Sequence, residues 1–159
     1  MGNELFGNTL FNIEEVEVLS IPSKTILLEE GKIADKLYFI RKGCLRLFFY
    51  NEGKDITFQF FFEGDFVASF DSLYKGTPSL FSLESIEPSE VLFIKKKDFY
   101  KKIESNPSLR LLYEEKIIER FSFYQHLFLS RIKNTPQQRY EELVKEYPNI
   151  IQRVPQHYI

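Results

Sequence analysis

The chain has 159 residues, of which 43% are hydrophobic and 28% charged, enough for one compact domain with an appendage. Its formal net charge of −2 lacks the basic excess of a free-standing nucleic-acid binder. No apolar run approaches the ~20 residues that span a bilayer, so a cytoplasmic protein with no membrane partner is expected.

The first segment, to about Leu19, reads as short helical pieces. Asn12 followed by Glu15 has the spacing of a capping box, and Pro22 closes the region. Met1-Gly2-Asn3-Glu4 offers neither the basic start nor the apolar run of a signal peptide. From Lys24 to about Lys96 short apolar runs alternate with turn residues. Strands are expected at Thr25–Leu28, Leu37–Ile40, Leu45–Tyr50, Asp55–Phe62, Phe81–Ile86 and Val91–Ile94. Asn51-Glu52-Gly53-Lys54 between the third and fourth supplies a hairpin turn with glycine available for a positive φ. With 17 Phe, 9 Tyr and no Trp, the chain favours an aromatic-filled β core. The spacing of strands and turns predicts an α+β protein built on a jelly roll, a double-stranded β-helix.

Beyond the roll the pattern becomes helical. A short helix opens at Lys97 and stops at Asn106-Pro107, and Pro107 suits the first turn of a long helix reaching about Lys133. Thr135 and Pro136 form an N-cap and first-turn pair for a last helix, Gln137–Tyr147.

On a helical wheel, Glu115, Glu119, Ser122, His126 and Lys133 of the long helix fall on one narrow polar stripe. The rest is nearly all apolar: Leu109, Leu111, Leu112, Tyr113, Ile117, Ile118, Phe121, Phe123, Tyr124, Leu127, Phe128, Leu129 and Ile132. A helix packed through one face needs an apolar arc of only about 100°. The wider arc here implies two apolar partners, the roll and a second copy of the helix, hence a homodimer through residues 107–134.

Several chemistries are disfavoured. A metal-dependent roll needs His or carboxylate ligands inside the barrel, and the two histidines, His126 and His157, lie beyond the last strand. No catalytic or metal-ligating residue is therefore assigned. The single cysteine, Cys44, excludes an internal disulfide framework, lacks a histidine partner nearby in sequence, and reads as core. Glu14-Glu15 and Glu29-Glu30 read as solvated faces, and no glycine-rich phosphate loop is present. The chain is not expected to be an enzyme.

One run is specific. Glu30-Gly31-Lys32-Ile33-Ala34-Asp35-Lys36-Leu37-Tyr38-Phe39-Ile40-Arg41-Lys42-Gly43 resembles the conserved strand–turn signature of cyclic nucleotide-binding domains. Glu63-Gly64-Asp65-Phe66 resembles the start of their phosphate-binding cassette. Asn106-Pro107 before a long helix, and Thr135-Pro136 to Arg139, resemble the dimer helix and hinge of bacterial Crp/Fnr transcription regulators.

The resemblance implies three parts: a β-roll sensor domain over residues 1–106, a dimerisation helix over 107–134, and the incomplete start of a winged helix-turn-helix over 135–159. The turn and recognition helix that would reach DNA in the intact protein lie beyond Ile159. It also implies a ligand site made of Phe66, Ala68, Ser69, Phe70, Ser79, Leu80 and Phe81, with Tyr124 and Gln125 closing over it.

Members that bind cyclic AMP carry Gly-Glu-Leu and Arg-Ser or Arg-Thr in the cassette, the Glu for the ribose and the Arg for the phosphate. Here those positions hold Ala68-Ser69-Phe70 and Ser79-Leu80, and Lys75 is the nearby cation. Cyclic AMP and cyclic GMP are disfavoured as ligands. No cofactor is assigned, leaving an unidentified small-molecule effector or a pocket filled by phenylalanines. The alternative reading is a stand-alone small-molecule-binding or protein-interaction module that never contacts DNA.

Overall fold

A computed structural model describes residues 7–10 and 18–159, which divide into two units, one ending at Arg110 and the other running from Leu111 to Ile159. The capping box at Asn12 and the Glu14-Glu15 pair lie outside the described residues.

Among the described residues, eight strands make the first unit a roll: β1 (Val18–Ile21), β2 (Ile26–Leu28), β3 (Lys36–Lys42), β4 (Leu45–Asn51), β5 (Lys54–Phe61), β6 (Phe66–Val67), β7 (Ser82–Ser85) and β8 (Ser89–Lys95). They form two four-stranded antiparallel sheets, ordered β1-β8-β3-β6 and β2-β7-β4-β5. The sheets share one core, with Ile21, Tyr38, Ile40, Val67 and Val91 from the first meeting Leu45, Leu47, Phe61 and Leu83 from the second. The expected jelly roll and α+β class are what the chain adopts.

Two turns show why the sequence folds this way. Asn51 pairs with Lys54 across Glu52 and Gly53, whose φ angles of 51° and 80° match a two-residue type I′ hairpin. Gly43 sits at φ 105°, and a Cβ there would stand 2.8 Å from the Ser89 Cα, so only glycine lets the turn after β3 close on β8.

The sheet β2-β7-β4-β5 also carries a buried ion network. Arg46, 2% exposed, donates through Nε to Glu84 Oε2 at 2.7 Å, through one guanidinium nitrogen to Thr57 Oγ1 at 2.9 Å, and through the other to Asp55 Oδ2 at 2.8 Å. Its guanidinium also lies 4.0 Å from the centre of the Phe48 ring.

Two elements differ from the sequence expectation. Val18–Ile21, expected at the end of a helical region, is an edge strand held by pairing with β8 from Val18↔Leu92 to Ile21↔Ser89. The stretch after β5 and its turn, expected to be irregular, contains β6 and a short helix Phe70–Lys75, closed by Gly76 in the left-handed region at φ 69°. The helix Lys96–Ser105 then buries Phe99 and Ile103, and the Lys102 ammonium donates to the Leu10 carbonyl.

The long helix spans Pro107–Lys133, with the Asn106 side chain accepting from the Leu109 amide at its start. Within the second unit it is followed by helices Pro136–Glu146 and Pro148–Arg153 and a short 3-10 turn, Gln156–Tyr158. Thr135 and Gln138 form a reciprocal capping box at the break. The helix Pro136–Glu146 folds back along the end of the long helix. Ser130 donates to Glu142 at 2.6 Å, and the Phe123 and Tyr147 rings meet edge to face.

Candidate functional site

The cassette runs from Gly64 to Phe81. β6 pairs with β3 through Tyr38↔Val67 and Phe39↔Phe66, which buries Phe66, Val67, Ala68 and Ser69 in succession. The short helix and the loop after Gly76 then bring Ser79 back beside Ser69. Both serines are 3% exposed, and their hydroxyl oxygens stand 2.9 Å apart.

Ser79 Oγ is also 2.7 Å from the Phe81 carbonyl. A hydroxyl has one hydrogen to donate, so satisfying both contacts makes Ser79 donate to Phe81 and accept from Ser69. The two positions that face each other across the cassette thus form a neutral hydrogen-bonded pair.

The strand–turn signature holds this cassette in place. The Gly31 amide donates to the Ser79 carbonyl and the Ser79 amide to the Lys32 carbonyl, each at 2.8 Å. Ser72 Oγ accepts from the Ala34 amide and donates to the Thr77 carbonyl, and Ser82 Oγ accepts from the Glu30 amide. Among the described residues, no buried side-chain nitrogen or oxygen lacks a hydrogen-bond partner. Sequence reasoning missed Ser72 and Ser82, whose signal is the recurrence of small hydroxyl residues on both sides of the cassette helix.

The cleft beside this pair is lined by Leu27, Leu28, Ala34, Asp35, Lys36 and Tyr38, together with Ala68, Ser69 and Leu83. Its cavity volume of about 10 Å³ is at the lower limit for one water molecule, far below the roughly 300–1,000 Å³ of pockets for small organic ligands. Burial pushes the Tyr38 phenol up to about 12, with the nearby Asp35 charge adding to the effect, and its hydroxyl lies 3.3 Å from the Leu27 carbonyl.

The expected ligand set is therefore divided. Ala68, Ser69 and Ser79 come together, with Ala68 and Ser69 on the cleft. Phe66 packs edge to face on Phe70, and Phe81 on Phe58. Leu80 is 76% exposed and points to solvent. Lys75 is exposed and paired with Asp71 at 2.6 Å. Tyr124 and Gln125 belong to the unit Leu111–Ile159. The guanidinium of Arg46, buried within the sheets, is already committed to Glu84 and Asp55.

A roll with this cassette and this strand–turn signature has the architecture of a cyclic nucleotide-binding-type domain. Residues 12–106 match the cyclic nucleotide-binding domain family, and the chain belongs to that family.

A comparison with curated protein sequences returned no match. Among solved structures, the catabolite activator protein of Thermus thermophilus is similar with a TM-score of 0.64 at 18% identity, over 82% of this chain and 58% of that one. A transcriptional regulator from Thermotoga maritima gives 0.63 at 16% identity, over 76% and 93%. The sensor domain of the transcriptional regulator DNR from Pseudomonas aeruginosa gives 0.59 at 15%, over 74% and 91%. These likenesses establish a shared fold, and the chain spans just over half the length of the Thermus protein. The resemblance to Crp/Fnr-type proteins is thus borne out in the fold. One EAL enzyme is also similar, in a form with cyclic GMP bound and in a form with cyclic AMP bound. No helix among the described residues is long and apolar enough to cross a membrane.

Proposed function

We propose that the chain is the effector-sensing and dimerising portion of a Crp/Fnr-type transcription regulator, with an effector other than cyclic AMP or cyclic GMP. The observation that carries this reading is the row of large apolar side chains left bare on the long helix. Leu111, Ile118, Phe121, Phe128 and Ile132 are 57–67% exposed. Their spacings of seven, three, seven and four residues are those of a heptad seam, completed by Glu114 and Gln125. Such a seam is covered when two copies lie parallel.

The capped break at Thr135 and the helices after it support a DNA-binding domain beginning there, whose placement the dimer would control. The neutral Ser69–Ser79 pair supports the exclusion of cyclic nucleotides, because a desolvated phosphate would find no buried cation in the cassette, where Lys75 is exposed and paired with Asp71. Catalysis forms no part of the proposal. In the intact cytoplasmic protein, the roll takes a small molecule and the helices transmit its occupancy.

Sedimentation of the purified chain at micromolar concentration tests the reading directly, and a dimer is expected. A monomer, together with no affinity of the full-length protein for DNA, would favour the stand-alone binding module that the net charge of −2 also fits. In parallel, cyclic AMP and cyclic GMP should leave the melting temperature unchanged. A stabilisation by cyclic AMP that survives Ser69→Ala and Ser79→Ala would overturn the cassette reading.

A further inference from the structure

The scarcity of histidine that removes a metal from the roll does not apply to the helical hairpin of the second unit. There His126 on the long helix faces Glu142 and Glu146 on the helix Pro136–Glu146, and one donor atom from each lies within 4.8 Å of the others. The two glutamates are four residues apart, so they share one face of the helix, where like charges repel weakly.

His126 Nε2 stands 3.4 Å from Glu142 Oε1. That is long for a charge-assisted hydrogen bond. It is the spacing of an ion pair, and it also fits two donors each about 2.1 Å from one tetrahedral ion, which stand about 3.4 Å apart.

The Glu142 carboxylate is divided in its duties. Its Oε2 accepts from Ser130 at 2.6 Å, with the Asn134 amide 3.4 Å away, while Oε1 is the oxygen turned to His126. Buttressing of one carboxylate oxygen by outer partners while the other is presented is the arrangement that fixes a metal-ligating carboxylate. Ser130 is 9% exposed, so that buttress is itself largely out of water.

We infer that His126, Glu142 and Glu146 form a binding site for a divalent transition-metal ion of the zinc type. An imidazole nitrogen with two carboxylate oxygens suits such ions, whereas magnesium and calcium take oxygen ligands alone. Three protein donors leave at least one position for water, so the site is open and more weakly binding than a closed four-ligand one. The ion ties the end of the long helix to the helix after the Asn134–Thr135 break and fixes the angle between them. On the reading given above, that angle sets the placement of the DNA-binding domain; the binding itself does not depend on that reading.

The test is equilibrium dialysis of the chelator-treated full chain against zinc chloride, with element analysis, and with magnesium chloride as a parallel arm. One zinc per chain at micromolar free metal is expected, with no magnesium uptake. His126→Ala and Glu146→Gln should each weaken binding more than tenfold, and His157→Ala should leave it unchanged. Zinc should slow amide hydrogen exchange over residues 126–146 in the parent chain and not in His126→Ala. Absence of zinc at those concentrations, or binding that persists in His126→Ala, overturns the proposal. Neither result alters the dimer or the nucleotide measurements, so failure here is separable from failure of the regulator reading.

Discussion

The roll and the helical unit of the same chain treat their side chains in opposite ways. In the roll the large apolar residues of both sheets close on one another, and every buried polar side chain among the described residues has a partner inside the fold. In the unit Leu111–Ile159, Ile150 and Val154 are the buried hydrophobics, while Leu111, Ile118, Phe121, Phe128 and Ile132 stand mostly in water. Exposed apolar surface of that extent on one helix face is what the proposed dimer would cover. On that proposal, one region is finished as a single chain and the other is completed by a second copy.

The strongest way to break the first half of that contrast is to remove Arg46. Arg46→Ala leaves Glu84, 8% exposed, without its cation, and breaking a buried ion pair on one side costs about 3–5 kcal/mol. Urea unfolding of the variant should show a midpoint lowered accordingly. Arg46→Met with Glu84→Leu should recover most of the loss, since apolar residues of similar volume replace buried ion pairs well. An Arg46→Ala midpoint within experimental error of the parent would mean that the network is not what fixes β4, β5 and β7.

The second half is tested on the seam. Phe121→Glu or Ile118→Glu changes two residues in every dimer. At about 1.5–3 kcal/mol for each large apolar side chain buried, dissociation should rise by roughly a hundredfold or more. Sedimentation should then show monomers, while circular dichroism keeps the helical signal. Ser122→Ala, on the polar stripe, should leave the dimer intact. A dimer that tolerates Phe121→Glu would place the interface elsewhere.

Much of this contrast was legible in the sequence, and the exceptions have physical causes. The strands β2 to β5, β7 and β8 announce themselves by apolar runs between turn residues, and the long helix is bracketed by Pro107 and Pro136; β6, of two residues, does not. β1 was not legible, because its extended state comes from pairing with β8, some seventy residues away. The Phe70–Lys75 helix has six residues, too few to show a period, and is closed by the left-handed Gly76. At the cassette, the loss of the charged positions could be read directly. That Ser69 and Ser79 would satisfy one another, while Leu80 turned to solvent, depends on loop geometry that no local pattern encodes. The same holds for His126 and Glu142, brought together by the angle of the break at Thr135.

A smaller effect sharpens the description of the roll as closed. Tyr38 is buried as the neutral phenol, with a folded pKa of about 12 against 10.0 for the free side chain. A raised pKa stabilises the fold in full below pH 10, and that contribution is lost as pH rises from 10 towards 12. Two units correspond to about 2–3 kcal/mol as an upper figure. The difference in stability between the parent and Tyr38→Phe should therefore be constant up to pH 10 and shift in favour of the variant above it. A difference that stays flat through pH 12 would mean that the phenol is reached by water.

The smallest expected effect falls on the cassette itself. Ser69→Ala removes one partner of a buried hydroxyl pair, and a neutral hydrogen bond of this kind contributes about 1 kcal/mol net. Ser79→Ala should cost somewhat more, because Ser79 Oγ also serves the Phe81 carbonyl and accepts from the Phe81 amide. Since the serines satisfy each other, each single variant leaves its partner poorly paired, and the double variant should cost less than the sum. That shortfall is the signature of a closed pair. If the two losses add, Ser69 and Ser79 act independently, each held by other groups, and the cassette is more open to a polar ligand than their 2.9 Å contact implies.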